Sequence, residues 1–344
     1  MTYIDTLVDR RMKSMSTGLF LTRALLIFSS CAAAPVFSQD PAAAYPAKPV
    51  FLISPYAPGG GTDRDGVPLV QKLSEYFGKP FLLDYKPGAG SVLGTQYVAK
   101  AAPDGHTLVI ITAAFTVLGA AKPDLPYDTL RDFAPISLQL KRQTMLVVHA
   151  STPVSNFAEY VAYAKANPDK LNFGTTGEGS LYHIYGAWLH GATHTKVTYV
   201  PYKGTGPLSV DLVAGRVDAA PISFLTGMRW VKAGKLRVLG MMGTERSTLF
   251  PDVKTIAEQG VADYDSSAWN GILAPAGTPE AILNKVSAGI NRWARDPATI
   301  KQMVTDTGDG TILIGSTPAV LKAHIGDEIN RWRRLVREHG IKVE

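Results

Sequence analysis

Cysteine is almost missing: the 344-residue chain has one, Cys31, and it falls inside an N-terminal leader. No intrachain disulfide can form, and downstream of the leader there is no thiol for a zinc site or a nucleophile. Long apolar runs are missing as well. After the leader, no stretch is long and apolar enough to span a bilayer. An excess of one charge sign is nearly missing too: 35 basic against 29 acidic side chains give a net charge of +6, and residues 1–38 hold four basic against two acidic ones. No Lys/Arg run is interleaved with aromatics, which argues against nucleic acid and leaves a small anion as the better-matched partner. Three enzyme signatures are also missing. No Gly-Lys-Ser or Gly-Lys-Thr follows a glycine turn, and there is neither a Gly-x-Ser-x-Gly elbow nor a His-Glu-x-x-His helix. No repeat of fixed period is present.

What is there is a globular composition, 46 % hydrophobic and 19 % charged, long enough for two domains. Residues 1–44 read as a secretory signal. Basic residues through Arg23 precede an apolar run, Ala24 to Phe28, which small residues extend to Phe37. Cleavage fits after Ser38 or near Ala44, and a start at Met12 or Met15 would shorten the basic region. Ser29-Ser30-Cys31 resembles the end of a lipoprotein box, but Phe28 stands where leucine is usual, so Cys31 reads as a residue of the apolar run.

The chain then alternates strand and helix, the pattern of an α/β sheet. Val50–Ser54 reads as a buried strand. It runs into Gly59-Gly60-Gly61 and a helix starting near Thr62 or Asp63, with Val67, Val70, Leu73 and Phe77 at helical spacing. Strand, glycine turn and helix N-terminus together aim backbone N–H groups at open space, where the helix dipole favours an anion. The device recurs at Lys86–Ser91, with Ser91 as N-cap, at Gly174–Ser180, and at Pro201–Pro207. Glycine serves tight corners in any α/β protein, so one such turn carries little weight. Four of them, each near a Thr or Ser, point to anion binding at the carboxyl ends of strands. Residues 107–112 read as a fully apolar strand, and Ile136–His149 as a stretch too long for one strand that suits a crossover between domains. A basic face, Arg331, Arg333, Arg334 and Arg337, lies on a C-terminal helix running from Pro318.

Asp63 and Asp65 lack calcium-loop spacing, so no metal is expected, and Asp63 suits a helix cap or a group that orients a donor. His183 and His190, two turns apart on one helix, have no evident carboxylate partner and suit packing. Tyr56, Tyr182, Tyr202 and Trp269 suit core or rim positions, and Tyr56 and Tyr202, next to glycine turns, are alternatively placed to bracket a ligand.

Seven segments, in order, resemble the Bug receptors, the periplasmic solute-binding subunits of tripartite tricarboxylate transporters. They are Tyr45-Pro-Ala-Lys-Pro-Val, Pro58-Gly-Gly-Gly-Thr-Asp63, Lys86-Pro-Gly-Ala-Gly-Ser91 and Ala101-Ala-Pro-Asp-Gly-His-Thr107, followed by Ala162-Tyr-Ala-Lys-Ala-Asn-Pro168, Val200-Pro-Tyr-Lys-Gly-Thr-Gly-Pro207 and Leu273-Ala-Pro-Ala-Gly-Thr-Pro279. The resemblance implies a two-lobed α/β periplasmic binding protein of type II, a Venus flytrap with a two-crossover hinge. Residues 45–145 and 268–344 would form lobe one and 146–267 lobe two. It implies a carboxylate held in the cleft mainly by backbone N–H groups. In lobe one the matching positions are Tyr56, Ala57, Gly60, Gly61, Thr62, Asp63, Gly88, Ala89, Gly90, Ser91 and Thr112. In lobe two they are Thr175, Thr176, Gly177, Gly179, Ser180, His183, Tyr202, Lys203 and Gly204. No cofactor is implied. The implied partners are a di-/tricarboxylate or aromatic acid and the large and small integral membrane subunits, with the receptor a monomer in the periplasm.

Two departures from the family pattern border the cleft. Arg64-Asp65-Gly66-Val67 stands where an apolar pair and Ala-Arg are common, and Ala219-Ala-Pro-Ile-Ser223 lacks a usual Phe-Asp. Two other functions fit the same residues: a sensor feeding a membrane histidine kinase, and a periplasmic hydrolase. The hydrolase would need Ser91 or Ser180 paired with His183.

Overall fold

The structure is a computed structural model that describes residues 42–339, apart from 178, 179, 248 and 309. All but the last three residues of the leader, Cys31 with them, and Gly179 of the third glycine turn lie outside the described residues. Among the described residues no helix is long and apolar enough to cross a membrane.

In chain order the first half runs β1 (Val50–Ser54), α1 (Gly61–Phe77), β2 (Phe81–Tyr85), α2 (Val92–Ala99), β3 (Thr107–Thr112), α3 (Ala113–Ala121), β4 (Phe133–Arg142) and β5 (Thr144–His149). Next come α4 (Phe157–Ala166), β6 (Asn172–Thr175), α5 (Leu181–Thr193), β7 (Thr198–Pro201), α6 (Thr205–Val213), β8 (Ala219–Ser223), α7 (Phe224–Lys232) and β9 (Leu236–Met241). The chain ends with β10 (Ala268–Pro275), α8 (Glu280–Arg295), α9 (Pro297–Ile300), β11 (Thr311–Leu313) and α10 (Pro318–His339).

The strands form two sheets, β11-β4-β10-β3-β1-β2 and β7-β6-β8-β5-β9. Each contains three mutually parallel strands followed by an antiparallel one that has arrived from the other sheet: β10 in the first, β5 in the second. Apart from the added edge strand β11, the two sheets therefore share one strand order. Ile136–His149 is not one strand: it breaks at Gln143, and the chain passes between sheets there. It returns through residues 242–267. This is the two-crossover architecture of a type II binding protein.

Each parallel trio feeds helices directly: β1, β2 and β3 lead to α1, α2 and α3, while β6, β7 and β8 lead to α5, α6 and α7. Gly78, at φ +63, ends α1 in the left-handed conformation that glycine adopts without strain. Helix α4 is capped by Asn156, whose Oδ1 accepts from the Glu159 N–H at 2.9 Å.

The halves are also joined by packing. Val117 of α3 lies in the cluster built on α4 and α5, and Leu181 of α5 packs against the cluster around Ile53 and Val109. Helix α10 spans both. Its Leu321, Ile325 and Ile329 pack with the first-sheet cluster, while Trp332 and Leu335 enter the second.

Candidate functional site

In the first turn, Gly59 takes φ +85 and Gly60 occupies the N-cap of α1 with extended backbone and no side chain to cap it. Asp63 does not cap the helix conventionally. From the third helical position its Oδ2 reaches back to accept from the Gly59 N–H at 2.5 Å, which leaves the following N–H groups for another acceptor. A Cβ on Gly61 would meet nothing within 4 Å, and one on Gly60 only the Ala57 carbonyl at 3.6 Å. Neither has positive φ, so nothing within the fold requires glycine at either position. Close approach by a ligand would. Ala57, Gly60 and Gly61 are exposed, whereas Thr62 is buried with its Oγ1 3.0 Å from Ser54 Oγ.

The second turn carries positive φ at four successive residues: Gly88 (+142), Ala89 (+46), Gly90 (+63) and Ser91 (+91). Ala89 and Ser91 bear that conformation without being glycine, and backbone strain of this kind gathers at ligand clamps. Ser91 does stand at the N-cap of α2, but its side chain makes no capping bond. The hydroxyl turns instead to Tyr56, whose phenol also lies 2.9 Å from Thr112 Oγ1. Burial pushes the Tyr56 hydroxyl pKa up, against the pull of both hydroxyls, so the phenol stays neutral. One phenol thus joins the turns before α1, α2 and α3. Thr112 is the N-cap of α3, accepting from Ala114 N at 3.3 Å.

In the third turn Thr175 is buried, and its carbonyl accepts from Tyr202 N at 2.9 Å, tying the third turn to the fourth. Thr176 and Gly177 are half-buried, with Gly177 at φ +127. Ser180 is the N-cap of α5, and its Oγ accepts from the main-chain N–H of His183 at 3.3 Å. The His183 ring packs edge-on against Tyr199, with centroids 4.9 Å apart. These are the contacts of helix capping and aromatic packing. In the fourth turn Lys203 is exposed and Gly204, at φ +99, is the N-cap of α6. Tyr202 donates its hydroxyl to Asp211 Oδ2 at 2.8 Å; burial and that carboxylate push its pKa up to about 12.

One contributor escapes the sequence reading. Helix α3, and with it the N-terminus above Thr112, is hidden because Leu108–Ala121 reads as one apolar run with only threonine and glycine breaks, which cannot separate a strand from a helix. Ser223, which ends the segment named above as bordering the cleft, is the N-cap of α7, and its backbone is hydrogen-bonded to the half-buried Tyr182. Ser223 and Thr226, whose hydroxyls lie 3.0 Å apart, are a cap-like spacing that could have marked it. Among the described residues no cluster of three metal-ligating side chains occurs. Asp65 is buried against Arg142 rather than grouped with Asp63. The arrangement therefore offers two groups of three helix N-termini, each at the ends of a parallel trio in its own sheet, a setting for a bound anion.

The family model described as "Tripartite tricarboxylate transporter family receptor" matches residues 68–341. Protein BugT of Bordetella pertussis is 32 % identical over 330 residues, covering 95 % of this chain and 99 % of BugT. A UPF0065 protein from the tcbD-tcbE intergenic region of Pseudomonas sp. strain P51 is 33 % identical over 304 residues, or 87 % and 89 % of the two chains. Among solved structures, R. palustris Rpa4515 with adipate matches at TM-score 0.72 and 29 % identity, covering 87 % of this chain and 99 % of that one. MatC from Rhodopseudomonas palustris with bound malate matches at TM-score 0.68 and 30 % identity, covering 85 % and 100 %. The chain belongs to the tripartite tricarboxylate transporter receptor family, the Bug/TctC periplasmic binding proteins.

Proposed function

We propose that this protein is a periplasmic receptor that captures a small di- or tricarboxylate, or an aromatic acid, between two lobes. It then delivers the acid to the large and small membrane subunits of a transporter. The lobes divide near residues 145 and 267. The observation that carries this reading is the pair Gly60 and Gly61: open, without positive φ, at the unfilled N-terminus of α1. Adipate and malate on two structural neighbours give the ligand class its chemical direction.

Physically, one helix N-terminus contributes ~0.3–1 kcal/mol to an anion when exposed and up to ~2 when partly buried. Several acting on one carboxylate, in a cleft that closes on water, can supply the ~8 kcal/mol of micromolar binding. A ligand that binds the closed form better shifts the population toward it, and only that form would dock productively.

The test is a thermal-shift screen of the leaderless protein against carboxylic acids, adipate and malate included, followed by calorimetry and mass spectrometry of the acid. Ligand at ~100 times Kd stabilises by ~2.7 kcal/mol, a clear rise in Tm. A shift with one acid class, and that acid recovered unchanged, is the expected result. No shift with any carboxylate, after refolding to strip carried-over ligand, overturns the reading.

A further inference from the structure

Asp65, in the second turn of α1, is a fully buried carboxylate. Its Oδ2 accepts from Arg142 Nη1 and from Asn270 Nδ2, each at 2.6 Å, and its Oδ1 accepts from Arg142 Nη2. Arg64 Nε stands 4.0 Å from Oδ1, and the Asp65 carbonyl accepts from Gln139 Nε2 at 2.9 Å.

The positions of the partners in the chain matter more than their number. Arg142 is the last residue of β4, and only Gln143 separates it from β5 in the other sheet. Asn270 is the third residue of β10, just after the chain has come back, and Ala268 pairs in register with Arg142. Gln143 itself is held on both sides. Its N–H donates to the Gly310 carbonyl at 3.2 Å, and its Nε2 to the Glu245 carbonyl at 3.1 Å. One buried charge therefore joins the helix that forms the anion cradle to the outgoing and the returning crossover.

A buried ion pair is weak evidence for stability, because well-packed apolar residues of similar volume often replace it at no cost. Its advantage is geometric: the two-pronged guanidinium–carboxylate contact fixes separation and plane together. We infer that Asp65 is a positioning residue that couples the first turns of α1 to the hinge through Arg142 and Asn270. What clamps Gly60–Thr62 then also clamps the crossovers, and by linkage the reverse holds. The ligand half of this statement rests on the function proposed above; the coupling itself does not.

Hydrogen–deuterium exchange on the leaderless protein, with no acid added, tests the coupling. Two variants are read: the charge-free pair Asp65→Leu/Arg142→Met, and Asn270→Ala. The pair variant is expected to keep Tm within a few degrees of wild type. Exchange should rise at least tenfold in peptides covering residues 59–67 and 266–272, while peptides in β6 and α8 keep their protection. Asn270→Ala, altered on the return strand, should raise exchange at 59–67 at least threefold. Asn270 contacts Asp65 directly, so a purely local role would confine the rise to the turn of Asp65, and the rise is diagnostic where it reaches residues 59–62. If the pair variant fails to fold, Asp65→Asn is read in the same windows. Unchanged exchange at residues 59–62 in Asn270→Ala, or a rise of equal size in every peptide of a variant, overturns the inference. A failed acid screen bears on the proposed ligand and leaves this measurement intact.

Discussion

The Nε2 atom of His190 lies 2.8 Å from the hydroxyl of Tyr160, and its Nδ1 lies 2.8 Å from that of Tyr199. Both ring nitrogens are thus engaged inside the α4–α5 core, with Phe173 edge-on at 4.7 Å. Burial holds the imidazole pKa down to about 3, with the Gly186 backbone the smaller opposing influence.

A stability change with pH follows, and its sign is fixed. The unfolded chain takes up a proton near pH 6.5, while the folded one resists until about pH 3. Stability from this group is complete above pH 6.5 and is lost as pH falls toward 3. At pH 5 the loss is about 2 kcal/mol, on the order of 1.4 per unit. Urea midpoints at pH 7.5 and 5 should fall more for wild type than for His190→Gln, in which nothing titrates there. Equal falls in the two proteins contradict the assignment.

Glycines near the cradle divide into two kinds, and alanine separates them. A Cβ on Gly94 would lie 2.6 Å from the Lys86 carbonyl and 2.8 Å from Pro55, both backbone contacts that cannot give way cheaply. Gly94→Ala should lower Tm by several degrees, in keeping with ~1–3 kcal/mol for overpacking. Gly61→Ala meets nothing within 4 Å and should leave Tm unchanged or slightly higher, since alanine suits a helix better. The same Gly61→Ala change should weaken the acid identified by screening at least tenfold. Wild-type affinity in Gly61→Ala would remove that position from the site.

Much of this was legible in the sequence, for particular reasons. Four glycine turns were visible because glycine is punctuation that a single sequence displays. Thr107–Thr112 was visible because an all-apolar strand buried on both faces needs no partner to be recognised. The break at Gln143 was visible in the polar interruption Lys141-Arg142-Gln143 of a stretch too long for one strand, which suited the crossover that the two sheets show. Ser91 misled, since a serine before a helix predicts a cap, whereas tertiary contact with Tyr56 took its hydroxyl. The partners of Asp65 stand 77 and 205 residues away, and no local pattern encodes such pairings. Strand β11 is three residues long and depends on pairing with β4, so periodicity could not reveal it.

The two tyrosines placed beside glycine turns should now behave differently. Tyr56 joins Thr112 and Ser91, from separate turns, while the Tyr202 hydroxyl is taken by Asp211, itself paired with Arg216 at 2.6 Å. Tyr56→Phe should cost ~1 kcal/mol in stability and several-fold in affinity for the bound acid, by freeing three turns from one another. Tyr202→Phe should leave affinity within about twofold, as expected for a hydroxyl already engaged by Asp211, whose hydrogen bond is worth ~1 kcal/mol to stability. Calorimetry on both variants decides it, and equal losses would mean that Tyr202 reaches the ligand.

Helix α10 gives the molecule a connection besides the two crossovers, and its last turns should carry the effect. Trp332 is 1 % exposed; it packs on Tyr185 with centroids 5.8 Å apart and on Trp188 at 6.3 Å, while its Nε1 donates to Glu328 Oε2 at 3.1 Å. Burial raises the Glu328 pKa, outweighing the opposing pull of Arg331. Trp332→Ala should cost ~3–5 kcal/mol, the usual penalty for removing a large core aromatic. Leu321, Ile325 and Ile329 would still hold the first turns of α10 on the other cluster. The variant should therefore stay folded while exchange rises in α5 and at the end of α10, and not in β1 or α1. Loss of protection of equal size in α1 and α5 would show that α10 stabilises the whole unit rather than the second sheet's core.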